Sequence, residues 1–191
     1  MSILLALVNK MKQPPKILQT KIMAQSRLFT IEAVDLQFSN GEQRTFERLQ
    51  RRQRGAVMIV PLTDTGELLL IREYAVGVER YLLGFPKGLI DNEETAIVAA
   101  NRELKEEISH GARHLQVLRR FAASPSYMNS CITVILAQDL YHEKLFGDEP
   151  EPLELVKWPL NDYANLLQKE EFAGAMSTVA LLLAKEVLLV D

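Results

Sequence analysis

The chain has 191 residues, of which 48% are hydrophobic, and it carries a formal net charge of −3 at pH 7. This length favours one well-filled globular unit, with room for a small appended subdomain. The mixed, slightly acidic charge argues against nucleic acid as a partner. Cys131 is the only cysteine, so no intrachain disulfide can form, and a reducing cytoplasm fits this composition. The apolar neighbours of Cys131 favour a core strand residue over a nucleophile.

The first 16 residues are expected to be a flexible lead (residues 1–16). The apolar run from Ile3 to Val8 is too short to span a membrane, and no basic residue precedes it as in a secretory signal. Pro14 and Pro15 then interrupt regular structure. We therefore expect no membrane partner, and we expect ordered structure to start at residue 17.

The composition of residues 17–54 predicts a small N-terminal β subdomain. Two segments rich in β-branched and aromatic residues, Ile17 to Met23 and Arg27 to Phe38, predict its first strands. Asn40-Gly41 then offers a tight hairpin turn into a third strand from Gln43 to Leu49. These strands either extend the main core or form an arm that packs on a second subunit.

The main domain is expected to span residues 55–191. Its first strand, from Gly55 to Leu62, is a near-continuous apolar run of the kind that is buried on both faces of a sheet. A turn then leads into a second strand from Glu67 to Tyr74. The basic run at residues 51–54, just before the domain, fits either a solvated linker or a phosphate contact.

A helix is predicted in the stretch from Gly88 to His110. Thr95 is its expected N-cap. Apolar residues recur after it at the three-and-four spacing of one helical face, at Ile97, Ala100, Leu104 and Ile108.

Three carboxylates lie on the same predicted helix. At about 100° per residue, Glu103, Glu106 and Glu107 fall together on an arc beside the buried stripe. Like charges at this spacing repel by about 0.2–0.5 kcal/mol per pair, so the cluster makes sense if a cation lies among them. Hard oxygen ligands favour Mg²⁺ or Mn²⁺. An ordinary solvated acidic face is the alternative.

The wider pattern around this helix resembles a family motif. Gly88, Glu94 and the run Arg102-Glu103-Leu104-Lys105-Glu106-Glu107 keep the spacing of the Nudix box, in which G, five residues, E and seven residues precede R-E-U-x-E-E-x-G-U, with U an aliphatic residue. The chain is therefore similar to the Nudix hydrolase family. The resemblance implies that Glu103, Glu106 and Glu107 bind the metal. It also implies that Glu94 and Arg102 hold the loop and the helix in register.

Two positions of the box differ from the family pattern. Ser109 stands where the box has glycine, and His110 stands where it has an aliphatic residue. The box glycine normally supplies the left-handed residue that ends the helix, so Gly111 is the expected substitute two residues later. All charged positions of the box are present.

The resemblance implies the fold, an α/β/α sandwich with a mixed sheet and an N-terminal antiparallel β arm. The run FPKGLID, from Phe85 to Asp91, is similar to the E/F-P-A-G-x-I-D/E segment of ADP-sugar hydrolases. With REYAVG upstream, it looks most like a bacterial subgroup of the family that hydrolyses ADP compounds. Members of this kind often exchange the β arm within a homodimer, and the resemblance implies the same here.

Three residues are expected to contact the substrate. Arg72 and Tyr74 resemble the Arg-x-Tyr/Phe segment that faces the substrate in the family, and the planar donor fork of arginine suits a diphosphate. The alternative for Arg72 is a surface ion pair with a nearby carboxylate. Lys87 replaces the small residue of the family pattern, and it either contacts a phosphate or faces solvent.

The second half of the chain is expected to complete the sandwich. The loop from Ser124 to Ser130 resembles a turn near the substrate in the family, and a plain hairpin loop is the alternative. The last helix is apolar nearly all round, so we expect it to be buried against the sheet or a partner subunit. Trp158 is an expected core residue. The predicted strands are His114 to Ala122, Cys131 to Asp139 and Leu153 to Trp158, and the predicted helices are Pro159 to Gln168 and Ser177 to Val190.

A second concentration of carboxylates lies in the loop from Leu145 to Glu154, with sequence LFGDEPEPLE. A bare acidic loop is usually a solvated segment. ADP-ribose hydrolases of the Nudix family carry an acidic loop at this place, however. The resemblance therefore implies Glu149 as the first candidate for the general base and Glu151 as the second, and either of them also as a metal contact. Together with Glu103 and Arg102, these form the expected catalytic set.

The activity implied by the resemblance is Mg²⁺-dependent hydrolysis of the diphosphate linkage in ADP-linked nucleotides. ADP-ribose, diadenosine polyphosphates and NADH are the implied substrates, and the products are AMP and a phosphorylated second moiety. Two alternatives remain. A nucleoside triphosphate pyrophosphohydrolase would use the same helix, but with a shorter chain and no arm or acidic loop. A non-catalytic ADP-ribose sensor would often lack a box carboxylate, and all are kept here.

Overall fold

The computed structural model describes residues 12–50, 55–128 and 130–188. The expectations for the apolar run in the lead, for the basic run at 51–54 and for the helix beyond residue 188 lie outside the described residues. The chain divides into two compact units. One comprises residues 1–51 with 124–129, and the other comprises residues 52–123 with 130–191.

The N-terminal unit contains a three-stranded antiparallel sheet in the order β1-β2-β3. The strands are β1 (Lys16–Gln25), β2 (Thr30–Gln37) and β3 (Gln43–Leu49). All three predicted strands are confirmed, although β2 begins at Thr30 rather than Arg27. The reason is a turn before β2, in which the Ser26 N–H donates to the Phe29 carbonyl at 2.7 Å.

The predicted hairpin at Asn40-Gly41 is also confirmed. The Phe38 N–H donates to the Glu42 carbonyl at 2.9 Å and closes the turn. Gly41 has a φ of +87°, a left-handed conformation that glycine adopts without strain. The turn chemistry in the sequence was therefore sufficient to predict the pairing of β2 with β3.

The β strands of this unit leave much apolar surface uncovered. All ten residues of β1 are exposed, and Glu32 on β2 is buried with its carboxylate accepting from Arg48 Nε at 2.6 Å. An isolated small sheet with so little burial is marginal by itself. We call the following residues the exposed arm surface: Ile17, Leu18, Ile22, Met23, Leu28, Phe29 and Phe46.

The main unit contains seven strands and three α-helices within its described residues. The strands are β4 (Ala56–Pro61), β5 (Glu67–Ala75), β6 (Arg80–Gly84), β7 (Lys87–Leu89), β8 (His110–Ala122), β9 (Cys131–His142) and β10 (Glu154–Pro159). The helices are α1 (Ala96–Glu107), α2 (Tyr163–Leu166) and α3 (Ala175–Leu188), with a 3-10 turn at Leu160–Asp162.

The strands form two sheets. The larger has the order β7-β4-β9-β8, and it is mixed because β4 and β9 are parallel whereas the other pairs are antiparallel. The smaller has the order β10-β5-β6 and is antiparallel. The expected mixed sheet is present, and the strand predicted from Leu153 to Trp158 completes the smaller sheet.

Alternate residues of the central strands point to opposite sides, as the strand geometry requires. Val57 and Ile59 of β4 belong to a buried cluster with α1, whereas Met58 and Val60 belong to a buried cluster with α3. The near-continuous apolar run of β4 is therefore buried on both faces, as predicted. With helices on both sides, the main unit has the α/β/α layering expected from the sequence.

The end of α1 differs from the expectation. Ser109 itself adopts the left-handed conformation, with a φ of +58°, and the Ile108 N–H donates to the Leu104 carbonyl at 3.1 Å. Gly111 lies in β8, where an added Cβ would be 2.4 Å from the Tyr141 ring. The prediction that Gly111 ends the helix is therefore wrong, and the glycine instead leaves room for Tyr141.

The C-terminal helices are shorter or more exposed than expected. The predicted helix from Pro159 to Gln168 is divided into a 3-10 turn and α2, and Trp158 is half-buried with its Nε1 donating to the Asp162 carbonyl at 3.0 Å. On α3, Leu181 is fully buried but Leu182 is 44% exposed, so only one face is buried in this chain. Among the described helices, none is long and apolar enough to cross a membrane.

Candidate functional site

The acidic face of α1 is fixed by its cap and its buried face. The helix begins after Thr95, whose hydroxyl accepts a hydrogen bond from the Val98 N–H at 3.3 Å, as predicted. Ala100 and Leu104 are fully buried against the larger sheet. This packing sets the rotation of the helix, and it leaves the carboxylate of Glu103 next to the buried stripe with only 8% of the residue exposed.

Gly88 is in close contact with Glu103. A Cβ at position 88 would lie 1.9–2.3 Å from the three carboxyl atoms of Glu103, far inside any allowed contact. Gly88 is held there because β7 pairs with β4, with Gly88 opposite Val57. The first glycine of the box is therefore explained by the space that the Glu103 carboxylate occupies.

Arg102 connects the loop before α1 to the carboxylates on α1. Its Nε donates to Glu94 at 2.9 Å, and one terminal nitrogen donates to the Leu89 carbonyl at 2.9 Å. The other terminal nitrogen donates to Glu103 at 2.8 Å and to Glu106 at 2.9 Å. The hydrogen bonds expected between Glu94 and Arg102 are present, and they join the loop to the helix.

Burial makes two of the carboxylates hard to ionise. Burial raises the pKa of Glu103 to about 7, although the charge of Arg102 opposes this shift. Burial raises the pKa of Glu107 to about 8, although Lys87 opposes it through its charge and through an N–H that donates to Glu107 at 2.9 Å. A bound cation would therefore stabilise the ionised form of both side chains and offset the cost of burying it.

The acidic loop meets α1 across a cavity. The Leu145 N–H donates to the Lys105 carbonyl at 3.0 Å, and a Cβ at Gly147 would lie 3.3 Å from Glu106 Cβ. The cavity has a volume of about 510 Å³. We call it the acidic cavity, because its lining includes Glu103, Glu106, Glu107, Asp148 and Glu149.

The structure separates the two candidates for the general base. Glu149 lines the acidic cavity, where burial and then the charge of Glu73 raise the pKa of its carboxyl. Glu151 is not part of that lining, and its carboxylate instead accepts a hydrogen bond from the Tyr81 hydroxyl at 2.6 Å. Asp148, which sequence reasoning did not select as a site residue, also lines the cavity.

A second cavity, of about 400 Å³, adjoins the first through Lys87, which lines both. Its walls include Met58, Leu83 and Phe85, and Tyr74 also lines it. We call it the apolar cavity. Of the three expected substrate contacts, Lys87 and Tyr74 are therefore brought to one place, although the ammonium of Lys87 is paired with Glu73.

Arg72 is the third expected substrate contact, and it does not line either cavity. Its guanidinium donates from Nε and a terminal nitrogen to Glu171 at 3.1 and 3.2 Å, and it also pairs with Glu154. These partners raise the pKa of Arg72, with the Glu154 hydrogen bond as the largest cause. The structure thus favours the ion-pair alternative for Arg72 over a substrate contact.

The donor set of the acidic cavity fits a divalent cation in its chemistry. Carboxylate oxygens are the ligands that Mg²⁺ and Mn²⁺ prefer. As the side chains stand, no three His, Cys, Asp or Glu residues in the described part of the chain are arranged to hold a metal. In this arrangement, Glu103 and Glu106 both accept hydrogen bonds from the guanidinium of Arg102.

Two parts of the site were not predicted from the sequence. Asp148 belongs to the same acidic run as Glu149, so its position beside Glu149 in the sequence could have identified it as a site residue. Tyr81 carried no such signal, because it is 70 positions from Glu151 and only the folded chain brings them together.

The loop that begins at Ser124 is hydrogen-bonded to the N-terminal sheet. The Leu49 N–H at the end of β3 donates to the Tyr127 carbonyl of this loop at 2.7 Å.

Comparison with known proteins places the chain in a family. Residues 52–179 match the NUDIX domain, and residues 15–48 match the NudE-type Nudix hydrolase N-terminal domain. The chain is 52% identical to ADP compounds hydrolase NudE of Escherichia coli (strain K12), over 94% of this chain and 96% of that protein. It is 28% identical to ADP-ribose pyrophosphatase of Bacillus subtilis (strain 168), over 87% of this chain and 92% of that protein.

The likeness extends to three dimensions. A crystal structure of ADP compounds hydrolase superposes with a TM-score of 0.90 at 52% identity, and the match covers 94% of this chain and 96% of that chain. The box residues, the α/β/α layering and the family matches agree. The chain belongs to the Nudix hydrolase family and carries the N-terminal domain of its NudE type.

Proposed function

We propose that this Nudix hydrolase cleaves the diphosphate linkage of ADP-linked nucleotides and releases AMP and a phosphorylated second moiety. ADP-ribose, diadenosine polyphosphates and NADH are the proposed substrates. The observation that carries the proposal is the convergence of six carboxylates, Asp91 among them, on one cavity, in a chain 52% identical to an ADP compounds hydrolase over 94% of its length.

Glu103, Glu106 and Glu107 are the proposed ligands of a divalent cation, Mg²⁺ or Mn²⁺. When bound, the cation neutralises diphosphate charge and lowers the pKa of a bound water. The three glutamates lie on successive turns of one helix and line one cavity, which supports this assignment. Arg102 joins the helix to the end of β7 at Leu89 and to the loop at Glu94 through its hydrogen bonds, and so positions these ligands.

Glu149 is the proposed general base. It accepts a proton from the attacking water as the water oxygen bonds to phosphorus and the phosphorus–oxygen bond of the linkage breaks. Its place in the wall of the acidic cavity supports this role, and so does its raised pKa, because a base with a pKa nearer neutrality takes up a proton more readily.

The apolar cavity is the proposed site of the nucleoside half of the substrate. Its walls of Met58, Leu83 and Phe85 suit an uncharged planar base. Tyr74 borders the same space, and Lys87 lies where the two cavities adjoin. A nucleotide with its base in the apolar cavity therefore places its phosphates at Lys87 and at the carboxylates beyond it.

We also propose a homodimer, in which residues 17–54 form an interface arm and residues 55–191 form the hydrolase domain. The exposed arm surface supports it, since a concentration of exposed apolar side chains is typical of interaction sites. A cytoplasmic location is proposed as well, because the single cysteine fits a reducing compartment.

Hydrolysis of a substrate panel tests the proposed function. The panel contains ADP-ribose, diadenosine triphosphate, NADH, ADP-glucose and deoxynucleoside triphosphates, each with Mg²⁺ or Mn²⁺, and chromatography measures AMP and, for the triphosphates, the deoxynucleoside monophosphate. AMP release from the ADP-linked members alone is the expected result. Cleavage of triphosphates alone would assign a nucleoside triphosphate pyrophosphohydrolase, and tight ADP-ribose binding without cleavage would assign a sensor.

A further inference from the structure

The acidic loop is anchored to a residue outside every motif of the sequence. The Tyr81 hydroxyl on β6 donates to the Glu151 carboxylate at 2.6 Å. Across the strand pair, Tyr81 lies opposite Tyr74, and the two rings meet edge to face with centroids 5.4 Å apart. Tyr81 is 48% exposed, and its contact with Tyr74 packs one side of the ring while the hydroxyl reaches the loop.

The loop has two other anchors, both on α1. The Leu145 N–H donates to the Lys105 carbonyl at 3.0 Å, and Gly147 packs against Glu106. Lys105 also pairs with Glu143 at 2.9 Å, just before the loop. The first part of the loop is thus fixed to the helix that carries the box carboxylates.

Asp148 and Glu149 lie between these anchors and the Tyr81 contact. Pro150 separates Glu149 from Glu151, and its ring fixes φ near −65° while it restricts the residue before it to extended conformations. The backbone direction at Glu149 is therefore coupled to the position of Glu151. Without the Tyr81 contact, the next fixed point after Glu149 is β10, which begins at Glu154.

We propose that Tyr81 is a positioning residue, which holds Glu151 so that Glu149 stays in the acidic cavity, and that Glu151 is a tether and not the general base. This inference rests on the proposed function, in which Glu149 is the base. It gives the two acidic candidates of the loop different roles. Glu149 acts on the reacting water, and Glu151 binds the Tyr81 hydroxyl.

Four variants separate a tether from a base at position 151. Glu151→Gln keeps an oxygen that accepts from the Tyr81 hydroxyl, but it removes the carboxylate that a base or a metal ligand needs. Glu151→Ala removes both, and Tyr81→Phe removes the donor alone. The double variant Tyr81→Phe with Glu151→Ala tests whether the two residues act through one contact.

The tether predicts a specific order of rates. Tyr81→Phe and Glu151→Ala each lower kcat by about 10-fold to 100-fold, the usual range for a residue that orients a functional group, while KM changes less than about 2-fold. The double variant is no slower than the slower single variant. Glu151→Gln restores kcat to within about 3-fold of the unchanged enzyme. Tyr163→Phe, which removes a hydroxyl without a hydrogen bond among the described residues, is the matched control and keeps full activity.

A base or metal ligand at Glu151 predicts the opposite. Glu151→Gln would then be as slow as Glu151→Ala, and Tyr81→Phe would be much faster than both. Equal loss in Glu151→Gln and Glu151→Ala overturns the proposal, and so does an additive double variant.

Hydrogen–deuterium exchange tests the tether without any substrate. The rate is read from peptides that contain residues 148–153, which follow the anchors on α1 and end before β10. We expect faster exchange in Tyr81→Phe and Glu151→Ala, and an unchanged rate in Glu151→Gln. If the unchanged enzyme cleaves no ADP-linked substrate, the proposed function fails, whereas equal exchange in all variants overturns the tether alone.

Discussion

The contact between Gly88 and Glu103 shows what a single residue of the box does. The sequence identifies Gly88 by its spacing, but spacing does not say why a side chain is excluded there. In the structure, the Glu103 carboxylate fills the space that a Cβ would take. An added Cβ at position 88 would overlap the end of the flexible Glu103 side chain and not the backbone. A substitution should therefore move the Glu103 carboxylate and leave the backbone in place.

Gly88→Ala is therefore predicted to lower turnover with little loss of stability. Displacement of the Glu103 carboxylate should lower metal affinity or kcat by about 10-fold to 100-fold. Gly77→Ala is the matched control, because nothing lies within 4 Å of its Cβ and its φ is not positive. Kinetics with a metal titration, together with thermal unfolding, measure both effects. A large drop in Tm with normal kcat would contradict this explanation.

Buried carboxylates also predict how stability depends on pH. The folded-state pKa of Glu107 is raised from 4.5 to about 8, so the fold favours its protonated form. The stabilisation associated with that form is complete below the unfolded pKa and is lost as the pH rises through the folded pKa. In metal-free protein, Glu107→Gln should therefore raise Tm relative to the unchanged chain by a few degrees at pH 8.5, and by much less at pH 5.

Thermal unfolding in a chelator across pH 5 to 8.5 measures this difference. Added Mg²⁺ or Mn²⁺ should raise the Tm of the unchanged chain more at pH 8.5 than at pH 5, since ligands bind metal in their deprotonated form. A Tm difference between Glu107→Gln and the unchanged chain that stays constant with pH would contradict the burial of Glu107.

At the scale of elements, local pattern predicted most strands and the position of α1. Thr95, the apolar spacing and the Asn40-Gly41 turn each specify structure through neighbours in sequence, and each is confirmed. The end of α1 was not predicted, because Ser109 adopts a left-handed conformation that its residue type does not favour. There, pairing of β8 with β9 from His110 onward determines the path of the chain.

The exposed arm surface predicts the oligomeric state. If β1 contributes to a homodimer, Ile22→Glu should shift the protein from twice the chain mass of 21.6 kDa toward the monomer. Lys21→Glu, at the neighbouring exposed position of β1, should leave the dimer intact. Light scattering coupled to size-exclusion chromatography gives the mass of each. A monomeric unchanged chain would contradict the dimer directly.

For the whole molecule, the sequence and the family resemblance predicted the layering, the carboxylates of the site and the contact of Glu94 with Arg102. They did not predict which residues would pair with Arg72 and Glu151. The family spacing is local, so it identified Glu103, Glu106 and Glu107 on one helix. The partners of Arg72 lie on β10 and before α3, and that of Glu151 lies on β6. Such contacts depend on which elements pack together, and local periodicity carries no information about them.

The proposed function assigns metal-dependent hydrolysis of ADP-linked nucleotides to the acidic cavity. AMP release from ADP-ribose by the unchanged chain and by Glu107→Gln, across a titration of Mg²⁺ and with Mn²⁺ binding measured in parallel, tests it most directly. Glu170→Gln, at an exposed ion pair with Arg80 away from both cavities, is the control. We expect metal-dependent AMP release, at least about 100-fold slower in Glu107→Gln together with weaker Mn²⁺ binding, and unchanged in the control. Near-normal turnover and Mn²⁺ affinity in Glu107→Gln would contradict the assignment of the metal site to this cavity.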